Sequence, residues 1–184
     1  MSHLPTSRRK IQDGMSVIDQ LLANAKALND ALERNDVQRE VMESHRDDIM
    51  ELQQIQLLEG KDSNGEDLRP YYSEDLKPMG YFHSKESAGR YAAWKGTLSY
   101  PFTVSRNADA PNLYITGVFH SELDVQLNPD TVAIVPTTVY AQGIMAKYGQ
   151  GSFGLNRDKW AELMDERGGM TDLMTKVKNI LWKG

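Results

Sequence analysis

Apolar residues recur at steps of three and four through Ile11, Met15, Ile18, Leu22, Ala25, Leu28 and Leu32, the repeat of one helical face. The pattern predicts a helix from about Gln12 to Arg34. Asn35 suits the left-handed position that ends it, and Asp36 can cap the next helix by accepting from its free amides. That second helix is predicted from Val37 to about Leu58, stopped by Gly60, with a length of roughly 33 Å at 1.5 Å per residue. Its stripe of Val41, Ile49, Leu52 and Ile55, with His45 in line, is thin. A neighbouring subunit is the expected cover for the resulting hairpin.

Between Lys61 and Pro78 the periodicity disappears. Asn64-Gly65 signals a tight turn, because both residues tolerate positive φ, and Pro70 biases Arg69 away from helix. Long connections of this kind are usually functional or interface loops. Ser84 then caps a predicted helix from about Lys85 to Leu98, with Tyr91, Trp94 and Leu98 at helical spacing and Pro101 beyond it.

Leu123, Val125 and Leu127 alternate like one face of a strand. Asn128-Pro129-Asp130 makes the turn, and Val132, Ile134 and Pro136 form the returning strand, with Pro136 at its edge. Tyr140 to Tyr148 fits two helical turns closed by Gly149 and Gly151. Asn156 caps a helix carrying Trp160, Leu163 and Met164, which Gly168-Gly169 breaks. Thr171 is the expected cap of a last helix, with Leu173, Met174, Val177, Ile180 and Leu181 on one face. The predicted class is α+β: a helical hairpin at 1–60, an extended loop-and-helix arm at 61–105, and a compact α+β core at 106–184. In that core a small antiparallel sheet packs with the C-terminal helices.

Composition sharpens this picture in three ways. A hydrophobic fraction of 40% in 184 residues is lean, as in an elongated or assembling chain. A net charge of -5 with scattered Lys and Arg disfavours sequence-specific DNA binding. The absence of cysteine excludes disulfide staples and thiolate metal sites. The polar, basic first ten residues have no signal-peptide core behind them, and no run approaches the roughly 20 apolar residues of a membrane span, so a cytoplasmic origin is expected.

Candidate chemistry is sparse. Asp62, Asn64 and Glu66 alternate like calcium ligands, but Gly65 falls in the fourth place of such a loop and Ser73 in the twelfth, so a plain turn is the better reading. Glu40, Glu43, Asp47, Asp48 and Glu51, interleaved with Arg39 and Arg46, read as a solvated or intersubunit charged face. The histidines at 3, 45, 83 and 120 lack zinc-helix spacing. His120 reads as a structural hydrogen bonder, and Ser121 and Glu122 beside it make no triad. Tyr81 through Lys95 mixes aromatics with bases, as single-strand platforms do, although Tyr91, Trp94 and Leu98 already form a core or interface stripe. Gly149 to Gly154 lacks the lysine and the strand-turn-helix context of a phosphate loop. No cofactor or metal is expected, and no enzyme activity.

Leu113, Thr116, Gly117, Phe119 and His120, then Tyr140-Ala141 and Tyr148-Gly149, then Phe153-Gly154-Leu155-Asn156 form a pattern that resembles tail-completion and head-to-tail joining proteins of tailed bacteriophages. In those families a Leu-x-x-Thr-Gly segment opens a small sheet and a Phe-Gly-Leu turn leads into the closing helix. The segment from Gly60 to Tyr72 is also similar to one in virion proteins of Bacteroides-infecting, crAss-like phages. The resemblance implies a structural virion protein, assembled in the host cytoplasm into a homo-oligomeric ring of the neck or tail. Such a ring surrounds the DNA channel and docks on portal or tail proteins. A ring needs two different patches per subunit. The hairpin, through Leu22, Leu28, Val41 and His45, is expected to supply one, and the arm, through Tyr71, Tyr72, Tyr91 and Trp94, the other. The competing readings are a tail-associated hydrolase working through His120 and a carboxylate, and a nucleic-acid-binding regulatory module using the aromatic-basic helix.

Overall fold

A computed structural model describes residues 16–128 and 130–182. Residues 12–15 of the first predicted helix and Pro129 of the predicted turn lie outside the described residues. The fold is α+β, with eight α-helices and one two-stranded antiparallel sheet among the described residues. None of these helices is long and apolar enough to cross a membrane.

Helix α1 (Val17–Glu33) starts at a capping box, in which Ser16 Oγ accepts from the Asp19 amide at 3.1 Å and the Asp19 carboxylate accepts from the Ser16 amide at 3.1 Å. Asn35, at φ 55°, turns the chain back as its side chain allows. Asp36 does not cap the next helix. It opens α2 (Asp36–Ser44), and its carboxylate is taken by Arg34 at 2.8 Å and Arg39 at 3.0 Å.

The predicted single second helix is in fact two, because His45 leaves helical geometry at φ -106° and ψ 19° before α3 (Arg46–Leu58) begins. Bonds from both sides hold this break. The His45 ring meets Asp48 at 2.8 Å and Asp172 at 3.0 Å, while Arg46 reaches Asp124 of the sheet at 2.9 Å.

Helix α4 (Lys85–Lys95), capped by Ser84, stops at Gly96 and not at Leu98, where Thr97 Oγ1 takes the freed Trp94 carbonyl at 2.7 Å. The segment from Leu113 to Gly117 does not open the sheet as the phage resemblance implied. It bends, reverses at Gly117 with φ 86°, and enters the one-turn helix α5 (Val118–Ser121). The sheet is β1 (Leu123–Leu127) against β2 (Val132–Pro136), with Val125 opposite Ile134.

Helix α6 (Ala141–Tyr148) ends at Gly149, and a 3₁₀ turn (Gln150–Ser152) follows. Asn156 caps α7 (Arg157–Ala161) by accepting from the Lys159 amide at 3.0 Å, and the helix continues as a π-turn (Glu162–Glu166). The last helix, α8 (Gly169–Leu181), starts behind the left-handed Gly168, so Thr171 lies inside it and is not its cap.

Ile49, Leu52 and Leu57 of α3 meet Leu68, Phe119, Val125, Ile134, Leu155 and Leu163 in one core. Burying each such side chain stabilises the fold by roughly 1.5–3 kcal/mol. This core draws on all three predicted segments, so the boundaries at 60 and 105 do not divide it. A smaller aromatic cluster of Tyr72, Phe82, Ala88 and Ala92 lies under α4.

Two fully buried glutamines of α3 hold the Gly154 turn to the core. Gln53 Oε1 accepts from the Gly154 amide at 2.8 Å. Gln56 donates to the Gly154 carbonyl at 2.9 Å and accepts from the Asn156 amide at 2.8 Å. By contrast α1 has no buried residue, although it packs along α2 and α8.

Candidate functional site

The motif residues do not make a sheet edge; six of them converge on a cavity. Leu113, Thr116, Gly117, Phe119, Tyr140 and Tyr148 line a space of about 460 Å³ together with Tyr72, Tyr91, Lys95 and Ile144. Helical spacing builds two of its walls, since Tyr91 and Lys95 stand four apart on α4, and Ile144 and Tyr148 four apart on α6, which Tyr140 precedes. Gly117 is required at the rim, where a Cβ would lie 3.3 Å from the Tyr114 ring in a left-handed backbone. Leu113 also holds a positive φ, of 52°, a conformation that costs a non-glycine residue roughly 1–3 kcal/mol.

Lys95 is 1% exposed, and its ammonium donates to the Tyr114 carbonyl. Burial, reinforced by the charge of Arg106, lowers its pKa to about 8. Arg106 donates to the Ala110 carbonyl at 3.0 Å. Among the described residues no carboxylate pairs with Lys95 or Arg106. Burial also pushes the Tyr72 phenol upward, and that of Tyr148 to about 12, so both remain protonated at neutral pH.

His120 lies behind the cavity, 3% exposed, with its ring edge-on to Tyr114 at 5.3 Å. Burial lowers its pKa to about 4, so it is neutral at pH 7. Nε2 stands 3.0 Å from the Asn112 carbonyl, which can only accept, so Nε2 carries the proton and donates. Nδ1 is buried without a partner among the described residues. Among the described residues no carboxylate meets the His120 ring, so the geometry shows no carboxylate–imidazole pair there.

The remaining motif positions serve packing and turns. The Phe153 ring packs tilted against Phe119 at 5.9 Å, Ala141 and Leu155 are buried, and Gly149 closes α6. Of the expected interface residues, Leu22 and Trp94 are exposed at 64% and 44%, while Leu28, Tyr71 and Tyr91 are half-buried. Val41, His45 and Tyr72 are buried within the chain itself and offer nothing to a neighbour.

The acidic face of the hairpin is used internally: Arg167 binds Asp48 at 3.1 Å, Glu51 at 2.8 Å and Glu162 at 3.2 Å. Asp62 closes its own turn by accepting from the Asn64 amide at 2.8 Å and the Glu66 amide at 3.0 Å. Nearby, Lys61 at 2.8 Å, with Asn107 and the Tyr71 hydroxyl, holds the Asp67 carboxyl down at about 2.

In the sequence Lys95 is one base among several on α4, and no pattern singles out Arg106, Asn112, Gln53 or Gln56. The four-residue step from Tyr91 to Lys95 was the available signal for the first; the glutamines gave none, because their partners lie about 100 positions away. No family model, curated protein or solved structure matches the chain.

Proposed function

We propose that this chain is a structural protein that acts by self-association, as a ring component of a phage neck or tail. The observation that carries the reading is α1, a 17-residue helix with no buried side chain and with Val17, Ile18, Leu21 and Leu22 all exposed. A contiguous apolar face on an outer helix is the usual mark of a protein-protein contact. Trp94, exposed on α4, supports a second patch, as a ring with head-to-tail contacts requires. The specific station in a phage particle rests on the motif resemblance. The net charge of -5 agrees with a channel through which DNA slides without binding.

Negative-stain imaging of the purified chain tests this reading. Closed rings, and their docking onto a portal or tail component, are the expected result. A monomer at high micromolar concentration would overturn the assembly reading, and rings that ignore phage components would overturn the phage assignment alone.

A further inference from the structure

The cavity between α4, α5 and α6 carries a charge arrangement that self-association does not use. A buried lysine is normally paired with a carboxylate, because its desolvated charge is otherwise costly. Here Lys95 forms part of the wall of a mostly apolar and aromatic space, and among the described residues its ammonium bonds only the Tyr114 carbonyl. Arg106 adds to the positive field, acting on both Lys95 and Tyr72. Asp75, which acts on the Tyr148 phenol, is itself paired with Lys147. The volume, about 460 Å³, suits a small organic molecule and lies within the roughly 300–1,000 Å³ of such sites. Tyr91, Phe119, Tyr140 and Tyr148 are aromatic residues of the walls.

We infer that this cavity is a binding site for a small organic anion, a carboxylate on an apolar body of about the size of two fused rings, with Lys95 as its counter-charge. The apolar body replaces water against the aromatic walls, and the carboxylate supplies the counter-charge that Lys95 lacks among the described residues. Arg106 strengthens the field without touching the ligand. The Leu113 backbone, held at positive φ, and Gly117 shape the rim. Nothing in this inference depends on ring formation.

Isothermal titration of the full chain with 2-naphthoate, and with its neutral counterpart 2-naphthamide, tests it. One equivalent of naphthoate is expected to bind at least tenfold more tightly than the amide. Lys95→Met, which keeps the stem and removes the charge, should erase that preference and leave the protein folded, because it relieves a buried charge. Ile144→Trp, which fills the cavity, should abolish binding of both compounds while the circular dichroism spectrum stays unchanged. Equal binding of acid and amide, a preference that survives Lys95→Met, or no binding of either compound to the wild-type chain would each overturn the site.

Discussion

Helices α1 and α3 are similar in length and opposite in fate. The first shows the cleaner apolar repeat in sequence and has no fully buried residue, while the second shows a thin stripe and buries Ile49, Leu52, Gln53, Gln56, Leu57 and Leu58. The difference lies in what surrounds each. Helix α3 is covered by the sheet, the Gly154 turn and α7, so even its glutamines find backbone partners. Helix α1 packs on α2 and on α8, to which Asn24 is tied through the Leu181 carbonyl at 3.0 Å. An apolar stripe states which face needs cover; it does not state whether the same chain supplies it.

The contrast can be broken most forcefully at Leu52. Leu52→Ala should cost about 2–5 kcal/mol in urea unfolding, through lost burial and a cavity. A loss below 1 kcal/mol would remove α3 from its central place. Gln56→Ala comes next, at about 2–4 kcal/mol, because it strands the Gly154 carbonyl and the Asn156 amide in the interior. An unchanged midpoint would show that the turn needs no clamp.

A pH profile sharpens the same comparison. His120, whose backbone carbonyl accepts from Gln54 of α3 at 3.0 Å, has a folded pKa lowered to about 4 from 6.5. A depressed pKa means that the unfolded chain takes up the proton first, so this contribution is complete above about pH 6.5 and is lost as pH falls toward 4. The full loss is about 3 kcal/mol, and His120→Gln should flatten that part of the profile. Retention of the full slope in that variant would place the titration elsewhere. The smallest effect belongs to α1: Leu22→Asp should shift monomer stability by no more than about 0.5 kcal/mol.

Much of the architecture was legible in local patterns. The β-hairpin register follows the alternation of Leu123 to Leu127, and the Ser84 and Asn156 caps follow from short polar side chains ahead of helical runs. What failed was non-local. The break at His45 depends on Asp172 in a helix 127 residues later, and the path of 113–117 depends on Tyr114 packing against Gly117 and His120. The motif residues were visible as a set, but their meeting place was not. A cavity is a property of four separated segments, and Lys95 acquires its character from burial that no spacing announces.

Sedimentation analysis of the wild-type chain beside Leu22→Asp decides whether α1 is the assembly face. The wild-type particle is expected at several times the 20.8 kDa subunit, and the variant as a monomer with an unchanged circular dichroism spectrum. A wild-type monomer, or a variant that assembles normally, would contradict α1 as the assembly face.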